Sequence, residues 1–133
     1  MTLPLRFPRL WVTLGWVFVV AASVASLLPG GTPGLDLAND KVEHIAGYAG
    51  LTLWFAGIYP RSRYWLIALG LLTMGIVMEF AQGWMHMGRQ RDFADVIANS
   101  TGIAVGMLLA LTILGGWMQK MENWIAPRKR RNS

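Results

Sequence analysis

His44, Glu79 and Asp95 are the side chains of this sequence best suited to chemistry. An imidazole and two carboxylates can act as general acid and base if the fold brings them together. The same groups are acceptable ligands for a divalent cation. Each belongs to a stripe of residues spaced three and four apart. The first runs through Lys41, His44 and Tyr48, with Asp40 just before it; the second through Gly75, Glu79, Gln82 and His86; the third through Asp92, Asp95, Asn99, Gly102 and Gly106. On a helix that spacing puts each stripe on one face. Arg89 precedes the third stripe. Its planar fork suits a carboxylate or a phosphate, and an ion pair with Asp92 that pins the loop is the simpler reading. His86 lies near a loop and is given no role.

Apolar helices must position these groups. Of 133 residues 54% are hydrophobic and only 14% charged, where a soluble domain carries about a quarter charged residues. Mean hydropathy is +0.41, as expected of an integral membrane protein. There is no cysteine, which excludes disulfides, thiolate metal sites and cysteine nucleophiles. The net charge of +5 comes from basic residues scattered over segment ends, so no nucleic-acid partner is expected.

Segments 10–28, 42–59, 64–84 and 93–118 are each apolar and near the roughly 20 residues that a crossing requires. Short links between them predict an all-α membrane domain over residues 1–133, an antiparallel bundle of four transmembrane helices. The first segment follows Arg6 and Arg9 as a signal peptide would. Its 19-residue core exceeds the roughly 7–15 of such a peptide, so it is read as retained. Arg6, Arg9, Arg61, Arg63, Lys120, Arg128, Lys129, Arg130 and Arg131 fall on the side of both termini, against Lys41, Arg89 and Arg91 on the other. Positive-inside logic then predicts both termini in the cytoplasm. The acids run the opposite way, with Glu122 alone on the basic side. Residues 119–133 form a basic cytoplasmic tail. Trp117, Met121, Trp124 and Ile125 have the spacing of a short interfacial helix, although a plain stop-transfer flank is the reading preferred here. Trp11, Trp65, Trp84 and Trp117 are expected to anchor the interfaces.

Antiparallel packing brings the start of the second helix, the end of the third and the start of the fourth to one leaflet. A charged group at mid-bilayer costs roughly 2.5–3.5 kcal/mol even on the lenient insertion scale, so the stripes should turn inward and pair. Ala98, Gly102, Gly106 and Ala110 form a ridge of small residues along the fourth helix, which lets a neighbour approach closely.

On these residues the sequence resembles the VanZ-like family, small membrane proteins named for a teicoplanin-resistance protein. The resemblance is carried by D-K-x-x-H-x-x-x-Y at Asp40, Lys41, His44 and Tyr48, and by E-x-x-Q at Glu79 and Gln82. It continues in G-R-x-x-D-x-x-D-x-x-x-N-x-x-G at Gly88, Arg89, Asp92, Asp95, Asn99 and Gly102, so that the motif region covers 40–106. It implies a multi-pass protein of the bacterial cytoplasmic membrane, acting on the cell envelope. For some members it also implies low-level resistance to lipoglycopeptides such as teicoplanin. The family has no agreed reaction, so no catalytic roles carry over.

The expected function is binding of a lipid, a lipid-linked envelope precursor or a lipoglycopeptide at the outer-leaflet polar cluster: Asp40, Lys41, His44, Tyr48, Glu79, Gln82, Arg89, Asp92, Asp95 and Asn99. The alternative is an intramembrane hydrolase or transferase on a lipid-linked substrate, with His44, Glu79 and Asp95 catalytic or holding a divalent metal. No HExxH motif and no serine elbow supports it, so no reaction is assigned and no cofactor is expected. Proton-coupled transport ranks last, because four short helices make a thin transporter unless the chain self-associates.

Overall fold

The computed structural model describes residues 2–27, 40–85 and 93–126, excepting the side chains at 26–27, 40–41, 82–83, 85 and 93–94. These residues form five α-helices and one short 3-10 turn: α1 (Pro8–Leu27), α2 (Asp40–Ile58), the turn Arg61–Arg63, α3 (Tyr64–Met85), α4 (Phe93–Thr112) and α5 (Trp117–Ile125). Pro8 opens α1 at a position where its missing N–H is no loss. Pro60 keeps Tyr59 out of the helical region, which ends α2.

Among the described residues, three helical stretches are long and apolar enough to cross a membrane: Pro8–Ala25, Arg61–Ala81 and Asp95–Thr112. The second helix, expected as a crossing over 42–59, does not join them by hydropathy. Its first turn carries Asp40, Lys41 and Glu43. It is the central helix instead, with Leu51, Thr52, Phe55, Ala56 and Ile58 all buried. A helix enclosed by neighbours needs less lipid-compatible surface, and its composition follows that.

The ridge on α4 decides how α2 is held. A Cβ at Gly102 would collide with the carbonyl oxygen of Ile45 and meet Tyr48 Cβ at 3.0 Å. At Gly106 it would meet Thr52 Cβ at 2.7 Å and Ala49 O at 2.8 Å. Both contacts advance by four residues on each helix, so α2 and α4 run side by side in one direction. Backbones this close trade side-chain volume for dispersion and Cα–H···O contact. The third helix runs against them. At one end the Tyr64 hydroxyl lies 3.4 Å from Ala56 O, and at the other Gly75 faces Tyr48 and Asn99. On the remaining side α1 leans on α2, Gly15 lying under the rings of Trp54 and Phe55.

The helix expected to continue to 118 stops at Thr112. Leu109 O accepts from both Ile113 N and Leu114 N, and Gly116 turns the chain at φ 67. Any Cβ at 115 would stand 2.7 Å from Ala110 O. This glycine pair makes a C-terminal cap that other residues would strain. Arg61 Nη2 donates to Leu111 O at 3.1 Å, a cation where the helix dipole is negative.

Past the break, residues 117–125 are a helix rather than a plain flank. Met118 and Glu122 face inward, while Met121, Trp124 and Ile125 stay exposed. Glu122 closes the molecule onto its own beginning. Its carboxylate accepts from Arg6 N at 2.7 Å, Phe7 N at 3.2 Å and Trp11 Nε1 at 2.9 Å. Burial by itself would raise this carboxyl. The backbone N–H of Arg6, the Trp11 indole, the backbone N–H of Phe7 and the Arg6 charge together outweigh burial, so it lies below the usual glutamate range. Leu3 N donates to Ile58 O at 2.7 Å, which ties the amino-terminal strand of chain to the end of α2.

Above that clamp the indoles of Trp11, Trp54 and Trp117 pack mutually, with ring centroids 5.5–6.0 Å apart. Trp54 Nε1 donates to Trp11 O at 3.0 Å and Trp117 Nε1 to Leu53 O at 2.7 Å. Trp11 and Trp117 are thus half-buried and packed against the core at one end. Trp65 and Trp84 are 64% and 83% exposed, in keeping with the anchoring role expected of them.

Candidate functional site

The polar stripes meet at the end of the molecule opposite the clamp. Two levels can be distinguished. At the deeper one stand Tyr48 of α2, Gly75 of α3 and Asn99 of α4. A Cβ at Gly75 would lie 2.9 Å from Asn99 Nδ2, 3.3 Å from the Tyr48 hydroxyl and 3.5 Å from Asn99 Cβ. Glycine at 75 is therefore what admits the Asn99 amide between the helices. One turn outward on each helix are His44, Glu79 and Asp95. Of these, His44 and Asp95 approach each other across α2 and α4.

At that outer level His44 Nε2 stands 3.8 Å from Asp95 Oδ2, the two side chains being 12% and 7% exposed. The separation suits a charge pair when the imidazole is protonated, and is too long for a hydrogen bond. Glu79 is 5% exposed and has polar company of its own. One turn below the Asn99 level, the site is closed by Leu51, Leu71 and Ile103, packed with the Tyr48 ring. Thr52 is fully buried and satisfied by donating to Tyr48 O at 2.7 Å. The result is a polar cluster above an apolar floor.

One atom in it is left over. Asn99, 3% exposed, has its Oδ1 buried with no hydrogen-bond partner. An unsatisfied buried acceptor costs about 1–3 kcal/mol, and such groups are rare enough to need a cause. A buried acceptor on the same helix face as Asp95, one turn deeper, can take a donor from outside the chain. Among the described residues no three histidine, aspartate or glutamate side chains could hold one metal ion.

Of the sequence-predicted cluster, His44, Tyr48, Glu79, Asp95 and Asn99 are buried or nearly so within this region. The side chains of Asp40, Lys41 and Gln82, and all of His86, Arg89 and Asp92, lie outside the described residues. Sequence reasoning placed Gly75 on the second stripe without giving it a role, and counted Glu122 only for topology. A lone acid among basic residues, four after Met118 on an amphipathic segment, was the available signal for the latter.

No protein-family model matches the chain, and no solved structure matches it. The sequence is similar to the "Uncharacterized protein C11E3.10" of Schizosaccharomyces pombe (strain 972 / ATCC 24843), with 32% identity over 98 residues. That similarity covers 70% of this chain and 59% of the yeast protein. The chain thus spans under two thirds of this relative.

Proposed function

We propose that this chain is a VanZ-like, multi-pass membrane protein whose polar pocket binds the headgroup of a lipid or lipophilic ligand in the leaflet away from the cytoplasm. In this reading α1 to α4 form an antiparallel four-helix membrane bundle, with α2 crossing inside the other three and both termini cytoplasmic. The distribution of basic residues supports that orientation. The observation that carries the binding role is the buried, unpartnered Asn99 Oδ1, on the same face of α4 as Asp95, which His44 approaches. Such a site suits a headgroup rich in donors: an ammonium, amide N–H groups or sugar hydroxyls. Lipid-linked envelope precursors and lipoglycopeptides have such groups, and the family resemblance points to both and to a bacterial cytoplasmic membrane. The likeness to a fission-yeast protein favours a ligand chemistry that membranes of both kinds contain.

The test is thermal stabilisation of the pure protein by a panel of phospholipids, lipid-linked precursors and lipoglycopeptides. A donor-rich headgroup should raise the melting temperature of the native chain, and Glu79→Gln should weaken the rise. If no ligand in the panel stabilises the native chain more than it stabilises Glu79→Gln, the pocket is structural. The 3.8 Å approach of His44 to Asp95 supports a second reading, an acid–base pair in a hydrolase or transferase on a lipid-linked substrate. Full function in a His44→Ala, Glu79→Ala double variant would exclude it.

A further inference from the structure

The clamp at Glu122 fixes how α5 is turned, and it leaves an apolar side of that helix uncovered. Spacing of three and four sorts the nine residues of α5 into three faces. Met118 and Glu122 are buried against the rest of the chain. Lys120 and Asn123 make a polar, exposed side. The third face holds Met121, Trp124 and Ile125, with Trp124 83% and Ile125 68% exposed. At 3.6 residues per turn this face lies beside the buried one rather than opposite it. Rotating α5 to bury it would withdraw Glu122 from Arg6 N, Phe7 N and Trp11 Nε1. The exposed face therefore meets something other than its own bundle.

Place and charge say what that is. The crossing stretch of α4 has 18 residues and ends at Thr112. At 1.5 Å per residue it is about 27 Å long, close to the roughly 30 Å of a hydrocarbon core. Helix α5 begins five residues further on, at Trp117, where headgroups follow acyl chains. Residues 1–11 and 113–133 hold seven basic side chains and one acid. That acid is Glu122, buried in the clamp, so the exposed charge of these segments is positive. Arg128, Lys129, Arg130 and Arg131 all fall within six residues of the end of α5. An indole beside methionine and isoleucine, next to such a basic run, is the chemistry of a helix lying on an anionic bilayer.

We propose that α5 is an interfacial helix, its Met121, Trp124 and Ile125 face seated in the surface of an anionic lipid bilayer where α4 leaves the membrane. Glu122 sets the rotation at which that face meets the lipid. This seating requires only that α4 crosses a membrane, and it is independent of the polar cluster.

The chain has no cysteine, so single cysteines can report the contact. Full-length Ile125→Cys and Asn123→Cys proteins are placed in nanodiscs and reacted with a water-soluble maleimide. Both positions are exposed in the protein itself, so without lipid contact the two should react alike. In discs of mixed phosphatidylglycerol and phosphatidylcholine, Ile125→Cys should react about tenfold more slowly than Asn123→Cys. Adding Trp124→Ser, at a side chain that the bundle leaves exposed, should remove most of that protection. So should discs of phosphatidylcholine alone. Arg128→Gln, Lys129→Gln, Arg130→Gln and Arg131→Gln together should do the same, since each basic residue near an anionic surface contributes about fivefold. Equal rates at 123 and 125 in the anionic discs would overturn the proposal and leave the face to another protein. Protection that is undiminished in phosphatidylcholine alone, or that survives Trp124→Ser, would overturn it as well.

Discussion

Replacing Glu122 by glutamine keeps the shape of the side chain and removes its charge, and the consequence can be worked from three distances. The carboxylate takes hydrogen bonds from Arg6 N, Phe7 N and Trp11 Nε1 at 2.7, 3.2 and 2.9 Å. Glutamine has one acceptor oxygen, so its NH2 group must face at least one of those donors. A hydrogen bond to a charged group contributes about 1.5–3 kcal/mol. Taking the low end for a partly buried site, the amino-terminal segment should open about tenfold more often. Arg6 and Arg9 are exposed, so trypsin reports that opening directly. We expect Glu122→Gln to be clipped near its amino terminus about tenfold faster than the native protein, with the helical bundle intact. The native clamp should itself weaken with acid. A carboxyl held below its unfolded value contributes its full stabilisation above that unfolded value, about pH 4.3. The contribution is lost as pH falls through the lower, folded value, and the variant should show no such loss. Equal clipping rates for the two proteins at neutral pH would refute the clamp.

Four further outcomes follow from other contacts in the structure. Gly106→Val should destabilise the protein by about 1–3 kcal/mol through overpacking against Thr52 and Ala49. Gly47→Ala, with nothing within 4 Å, should be neutral or stabilise by up to about 1 kcal/mol, both read by denaturant titration in micelles. A double-mutant cycle of His44→Ala and Asp95→Ala should give a coupling of about 0.5–3 kcal/mol; a value within error of zero would mean that the 3.8 Å approach has no energetic content. Asn99→Leu removes the orphaned acceptor, so the ligand-free protein should melt no lower than the native one while losing stabilisation by donor-rich headgroups. A clear drop in its melting temperature would show that Asn99 is structural.

Much of the helical layout was legible because long apolar runs ending in proline or glycine leave few alternatives. The ridge of Ala98, Gly102, Gly106 and Ala110 was legible for the same reason, small residues four apart having little use except close approach. What hydropathy could not resolve was direction after a run ends. Residues 113–118 remain apolar through a full turn of chain, and only Gly115 and Gly116 mark that α4 stops. Tryptophans near a helix end fit an interface or an aromatic cluster equally well, and the cluster that Trp11 and Trp117 form is completed by Trp54, a residue far off in sequence. The stripes were expected to turn inward and pair, but the approach of His44 to Asp95 depends on helix rotation, and stripes of like spacing do not fix that. Gly75 shows its purpose only when Asn99 is seen against it.

The convergence of the stripes can be tested with a disulfide, because the chain has no cysteine of its own. A Cβ at position 75 would lie 3.5 Å from Asn99 Cβ, at the near edge of the 3.5–4.5 Å that a disulfide spans. Under mild oxidation in membranes, the Gly75→Cys, Asn99→Cys protein should form an internal bond nearly completely, giving a mass two hydrogens lighter that reverts with reductant. Gly47→Cys with Gly75→Cys should give none. If the 75–99 pair stays reduced while the folded protein is otherwise normal, the polar faces of α3 and α4 do not meet, and the pocket does not exist.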